Sequence, residues 1–162
     1  MPHIRQATEA DIQGIFQIYD WHVQNGIATF ETKVKYDQEK REWFDSHNGA
    51  HQLFVAIESE NVIGWAALSP WSPREAYSRT AECSVYVAAE FEGQGIGKVL
   101  LTHLLDNSPN IHVVIARIAE PNPASVALHR SAGFQDIGVM QEVGEKFGKL
   151  LDVRLMGWHR KA

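Results

Sequence analysis

Neither a helix nor a strand runs easily through Phe91-Glu92-Gly93-Gln94-Gly95-Ile96-Gly97-Lys98, because glycine at alternate positions leaves the backbone too free. The preceding Ser84-Val85-Tyr86-Val87 alternates as a strand does. The following Val99-Leu100-Leu101-Thr102-His103-Leu104-Leu105 is apolar and reads as a helix. The chain therefore passes from sheet to helix through a glycine loop. Successive N–H groups there are uncovered by side chains, and the helix adds its own unpaired N–H groups and positive dipole end. Such a nest grips a pyrophosphate. Glycine-rich strand-to-helix turns also serve purely structural ends.

Two better-known phosphate loops do not fit. A dinucleotide fingerprint needs G-x-G-x-x-G, and a P-loop needs an earlier glycine and a hydroxyl residue after Gly-Lys. Here Glu92 and Val99 stand at the P-loop positions, and the glycines fall as G-x-G-x-G.

Composition narrows the class. A chain of 162 residues, 44% hydrophobic, is the size of one domain with a substantial core. A net charge of -5 without a basic block argues against a nucleic-acid partner. Apolar runs such as Trp65-Ala66-Ala67-Leu68 are too short to span a bilayer, so no membrane association is expected. The first residues, Met1-Pro2-His3-Ile4-Arg5-Gln6, lack the apolar core of a secretory signal. Cys83 is the sole cysteine, which suits a reducing cytoplasm.

Strands and helices alternate along the chain. Ile4 to Ala7 reads as a strand. Thr8 to Asp11 forms a capping box, with Asp in place of Glu, opening a helix whose Ile12, Ile15, Phe16 and Tyr19 share a face and which Asn25-Gly26 stops. Asp37 caps a second helix through Phe44. Gln52 to Glu58 and Val62 to Ser69 flank Ser59-Glu60-Asn61 as a hairpin, and Pro70 and Pro73 open a loop. After the strand Thr80 to Val87, the glycine loop and its helix come a strand His112 to Ile118 and a helix Pro123 to Ala132 ended by Gly133. Two closing strands flank Gly144 to Lys149. Helices both precede and interrupt the strands, so the expected class is α/β (α+β mixed) with a mixed sheet.

Period-two alternation puts Glu82, Ser84 and Tyr86 on one strand face and Cys83, Val85 and Val87 on the other. A carboxylate within a sheet is costly to ionise unless wet or paired. Desolvation favours its neutral form, which suits a general base working near neutral pH. A strand-end glutamate in an ordinary surface pair is the competing reading. The same alternation turns Cys83 away from Glu82, so a buried small hydrophobe describes it better than a nucleophile. His47 and His51 are four apart, but Gly49 lies between them and no third ligand is evident, so no metal is expected.

Gln94-Gly95-Ile96-Gly97-Lys98 resembles the pyrophosphate loop of the GNAT superfamily of N-acetyltransferases. Phe30-Glu31-Thr32, Arg74-Glu75-Ala76-Tyr77, Thr80 to Val87, Asn122 to His129 and Gly133-Phe134 extend the likeness over nearly the whole chain. Together they resemble the phosphinothricin and methionine-sulfone acetyltransferase branch. That resemblance implies a twisted mixed sheet of six or seven strands flanked by helices, splayed after the strand ending near Val87, with pantetheine in the opening. It also implies acetyl-coenzyme A as acetyl donor, a small-molecule amine as acceptor, and a homodimer.

Roles carried over by the resemblance follow residue by residue. Glu82 would be the general base. The backbone of Val85, Tyr86 and Val87 would hold the pantetheine arm and polarise the thioester carbonyl. Gly93, Gln94, Gly95, Ile96, Gly97 and Lys98 would hold the pyrophosphate. Asn122 and Ser125 would border the coenzyme A arm, and both also suit plain helix capping. His129 stands where many relatives carry a tyrosine that protonates the leaving thiolate. It would be the acid, or else a packed histidine. Arg74 and Tyr77 would grip a substrate carboxylate and cover an apolar side, or be solvated loop residues. Phe30 and Glu31 would line the same pocket, Glu31 reading the amine. The expected activity is direct acetylation of the α-amino group of a small amino acid of the methionine sulfone, methionine sulfoximine or phosphinothricin type. Acetylation of a protein or peptide amine, and a non-catalytic acyl-coenzyme A sensor, are the alternatives.

Overall fold

The computed structural model describes residues 1–162. Seven strands form one sheet: β1 (His3–Gln6), β2 (Leu53–Glu58), β3 (Asn61–Pro70), β4 (Thr80–Val87), β5 (Val113–Ala119), β6 (Gln135–Lys146) and β7 (Lys149–His159). Their spatial order is β1-β2-β3-β4-β5-β7-β6. Four α-helices flank them: α1 (Ile12–Asn25), α2 (Asp37–Asp45), α3 (Ile96–Asp106) and α4 (Pro123–Ser131). No helix is long and apolar enough to cross a membrane.

Every neighbouring pair is antiparallel except β4 and β5. A parallel pair needs a crossover. The glycine loop and α3 supply it, so the most constraining sequence segment also makes the sheet mixed.

Local signals set most boundaries. The N–H of Thr8 donates to Asp11 Oδ2 at 2.7 Å, as a capping box requires, although a 3-10 turn over Glu9–Asp11 precedes α1. At α2 the capping residue is Tyr36 rather than Asp37, its N–H donating to Glu39 Oε2 at 2.8 Å. Asp37 becomes the first helical residue, where its charge suits the dipole. The β2–β3 turn is shorter than expected. Only Ser59 and Glu60 form it, both with positive φ, and Asn61 already belongs to β3.

Both sheet faces are covered. Phe54 and Ala56 of β2 join the core under α3 and α4, which includes Leu100, Leu101 and Leu104, while Leu53 and Val55 face Ile15 and Phe16 of α1. Burying each such leucine contributes about 1.5–3 kcal/mol. Aromatic edges tighten the α1 side: Phe16 meets Trp43 at 5.1 Å and Tyr19 meets Tyr86 at 5.1 Å, ring centre to ring centre.

Candidate active site

β4 and β5 pair only from Thr80–Val113 to Glu82–Ile115, and beyond that point they separate. β4 stays paired with β3 up to Val87, and β5 with β7 up to Ala119. The splay therefore begins after Glu82, earlier than the strand end near Val87 that the sequence suggests. A cleft of about 1140 Å³ fills the gap.

Strand geometry decides which backbone groups face this opening. Thr80 O accepts from the N–H of Trp71, and the N–H of Ala88 donates to Ile63 O, so even-numbered residues turn to β3. Cys83, Val85 and Val87 then turn their N–H and C=O groups to the gap. His22 Nε2 caps Val87 O at 3.1 Å. Val85 keeps both groups free for a ligand.

At the far end of the cleft, the N–H groups of residues 93 to 98 donate to no protein acceptor. Gly93 and Gly95 have φ of +75° and +83°, and a β-carbon at either would project into open space. The loop thus bares its amides toward the cleft, as the sequence pattern implies. Gly97 is glycine for another reason. It sits inside α3 with no positive φ, and a β-carbon there would lie 3.3 Å from Leu128 Cδ2. Ile96 is buried in the core and offers only its backbone. Lys98 lines the cleft, whereas the Gln94 side chain turns back to donate to Glu90 O.

Glu82 lines the cleft where the strands part, but not in an apolar setting. Arg117 of β5 holds it through two hydrogen bonds, Nε to Oε2 at 2.8 Å and a terminal nitrogen to Oε1. The pair raises the Arg117 pKa, chiefly through the hydrogen bond to Glu82. The guanidinium carbon also lies 5.4 Å from the centre of the Trp71 ring. Sequence reasoning missed Arg117. Its signal is a lone charge in the apolar run Val113-Val114-Ile115-Ala116-Arg117-Ile118, on the strand beside Glu82.

Neighbours on α4 and β4 hold His129 in place. The residue is 6% exposed, and its Nδ1 donates to Ser125 O at 2.7 Å. Burial lowers its pKa, so the ring is neutral and Nε2 carries a lone pair. That lone pair faces Cys83 Sγ at 3.7 Å. No N–H is left to protonate a thiolate. Burial pushes the Cys83 thiol up to about 12, which agrees with a packed thiol and not a nucleophile. Asn122 caps α4 by accepting from the N–H of Ser125 at 3.1 Å, and both residues line the cleft.

Phe30 and Glu31 also line the cleft, with Met140, Val143 and Val153 of the β6–β7 hairpin. Thr29 anchors their loop: its carbonyl accepts from buried Lys146 at 2.8 Å, and its hydroxyl meets Tyr19 at 2.8 Å. Arg74 and Tyr77 lie apart from these residues. Both are exposed in the loop between β3 and β4, and neither lines the cleft. Pro70 ends β3 and a 3-10 turn over Glu75–Tyr77 carries the segment along the surface.

A family model described as "Acetyltransferase (GNAT) family" matches residues 15–134. The chain belongs to this family. As an N-acetyltransferase, it is similar to the phosphinothricin N-acetyltransferase of Streptomyces coelicolor, with 36% identity covering 98% of this chain and 94% of that one. It is 38% identical to the L-methionine sulfoximine/L-methionine sulfone acetyltransferase of Pseudomonas aeruginosa, covering 94% of this chain and 91% of that one. Among solved structures, a GNAT superfamily phosphinothricin acetyltransferase from Sinorhizobium meliloti in complex with AcCoA superposes with a TM-score of 0.93 at 35% identity, covering 98% and 88% of the two chains. The seven-stranded mixed sheet flanked by helices is the GNAT architecture that the sequence implies.

Proposed function

We propose that this enzyme acetylates the α-amino group of a small amino-acid-like substrate, of the methionine sulfone, methionine sulfoximine or phosphinothricin type, with acetyl-coenzyme A as donor. One observation carries the reading: the sheet opens beside Glu82, so that a carboxylate, a free strand backbone and a nest of amides share one cleft. The names of the similar proteins support the substrate class.

The residues present fit acetyl-coenzyme A. The amides of residues 93 to 98 and the Lys98 side chain would hold its pyrophosphate, and the Val85 carbonyl would accept from the pantetheine arm along the strand edge. Asn122 and Ser125 would border that arm. When bound, the molecule supplies the acetyl group as a thioester. Glu82 would take a proton from the substrate ammonium, directly or through water, freeing its nitrogen to attack the thioester carbonyl; the C–N bond would form as the C–S bond breaks, and coenzyme A would leave as a thiolate that takes its proton from solvent. The Val85 N–H would donate to the oxygen on which charge develops. Phe30, Glu31, Met140 and Val143 would enclose the amine substrate.

The chain would act as a single N-acetyltransferase domain in the cytoplasm. A homodimer would cover the exposed apolar residues Ile137, Val139 and Leu150 of β6 and β7, and light scattering tests it. Thiol release from acetyl-coenzyme A, measured over a panel of free amino acids, amines and peptides, tests the activity. Turnover confined to free amino acids is expected. Preference for peptide amines, or no turnover, would refute the proposal.

A further inference from the structure

An amino-acid substrate brings a carboxylate into the cleft, and Arg74, which the sequence suggests for it, lies elsewhere. Lysine and arginine side chains lining the cleft are Lys98, at the amide nest, and Arg117, at the splay. Lys146 is buried on Thr29 O, and Lys35 pairs with Glu31 at 3.3 Å.

Arg117 is bonded on one edge only. Its Nε and one terminal nitrogen hold Glu82, while the second terminal nitrogen has no hydrogen-bond partner. The Trp71 ring lies beside the guanidinium, its centre 5.4 Å from the guanidinium carbon. The side chain remains 51% exposed at the cleft. A planar guanidinium presents two usable forks, and the free one matches a carboxylate.

We propose that Arg117 is the specificity residue that reads the substrate carboxylate, binding it on the edge that Glu82 leaves free. The proposal rests on the amino-acid reading above. One carbon separates an α-carboxylate from its α-amine. Anchoring the first on Arg117 therefore delivers the second beside Glu82, directly or through one water. The same arginine fixes the base and places the nucleophile.

The test compares L-methionine sulfone, its carboxamide and its decarboxylated amine in the parent, Arg117→Gln and Arg117→Lys proteins. The parent's kcat/KM preference for the free acid should fall by about 10- to 100-fold in Arg117→Gln, mostly through KM, as expected for a lost charge-assisted pair. Arg117→Lys should keep part of it. An unchanged preference, with kcat reduced alike for all three compounds, would overturn the proposal and leave Arg117 to orient Glu82 alone. If a variant turns over nothing, calorimetry on the coenzyme A-loaded proteins decides. Selective loss of affinity for the acid supports the proposal, and equal loss for acid and amide overturns it. If the parent acetylates no free amino acid, the amino-acid reading itself fails and takes this one with it.

Discussion

Replacing Glu82 by glutamine separates structural from chemical roles. The change is nearly isosteric and keeps a carbonyl oxygen that can accept one hydrogen bond from Arg117, but it removes the proton acceptor. The structural cost should be small. Glu82 and Arg117 side chains are 21% and 51% exposed, and a pair so open to solvent contributes only about 0–1 kcal/mol. In a chain of this length that amounts to a fall in Tm of about 2–4 °C at most. The chemical cost should be far larger, about 10²–10⁴-fold in turnover, or about 3–5 kcal/mol of barrier. Thiol release at saturating amine between about pH 7 and 8 measures it, and calorimetry with acetyl-coenzyme A should show cofactor affinity unchanged. Turnover within a few-fold of the parent, in a folded protein that still binds the cofactor, would show that Glu82 is not the base.

Gly95→Ala should weaken acetyl-coenzyme A binding by about 10-fold or more. The alanine must adopt the φ of +83° at a cost of about 1–2 kcal/mol and sets a methyl in the open space before the amides. Calorimetry giving parental affinity would count against the nest. Gly97→Val is a poorer test, since it overpacks Leu128 by about 1–3 kcal/mol whatever binds. His129→Gln should keep turnover within about 10-fold of the parent, because the neutral ring offers no proton to the cleft. Its pH dependence has a definite sign. The folded pKa lies below the unfolded value of about 6.5, so this histidine stabilises fully above that pH and its contribution is lost as pH falls toward the folded value. Melting curves between about pH 8 and 5 should show the parent losing more stability on acidification than His129→Gln, and equal slopes would refute it. Gly144→Ala would drive a methyl into the Phe30 ring, so KM for the amine should rise while cofactor affinity holds. An unchanged KM would remove Phe30 from the substrate pocket.

Short-range periodicity and backbone chemistry are legible in the order of residues alone. Alternation along Thr80 to Val87 sorted Glu82 from Cys83, and the glycines announced bared amides before α3, because both depend only on neighbouring residues. Asn122 before Pro123 announced a cap for α4 in the same way. Other features were decided only by tertiary structure. The splay begins at Glu82 because β5 continues along β7 while β4 follows β3, a competition among strands distant in sequence. Arg117 meets Glu82 across that junction, 35 residues away, and no local pattern joins them. Arg74 and Tyr77 look suitable as residue types, yet their loop runs along the surface, outside the cleft. His129 was open to an acid or a packed reading as a residue type, and its contact with Ser125 O and its burial, both set by packing, favour the packed one. Residue types and spacing define the chemistry a side chain can do, but its partners are set by long-range packing, and those partners decide which of that chemistry remains.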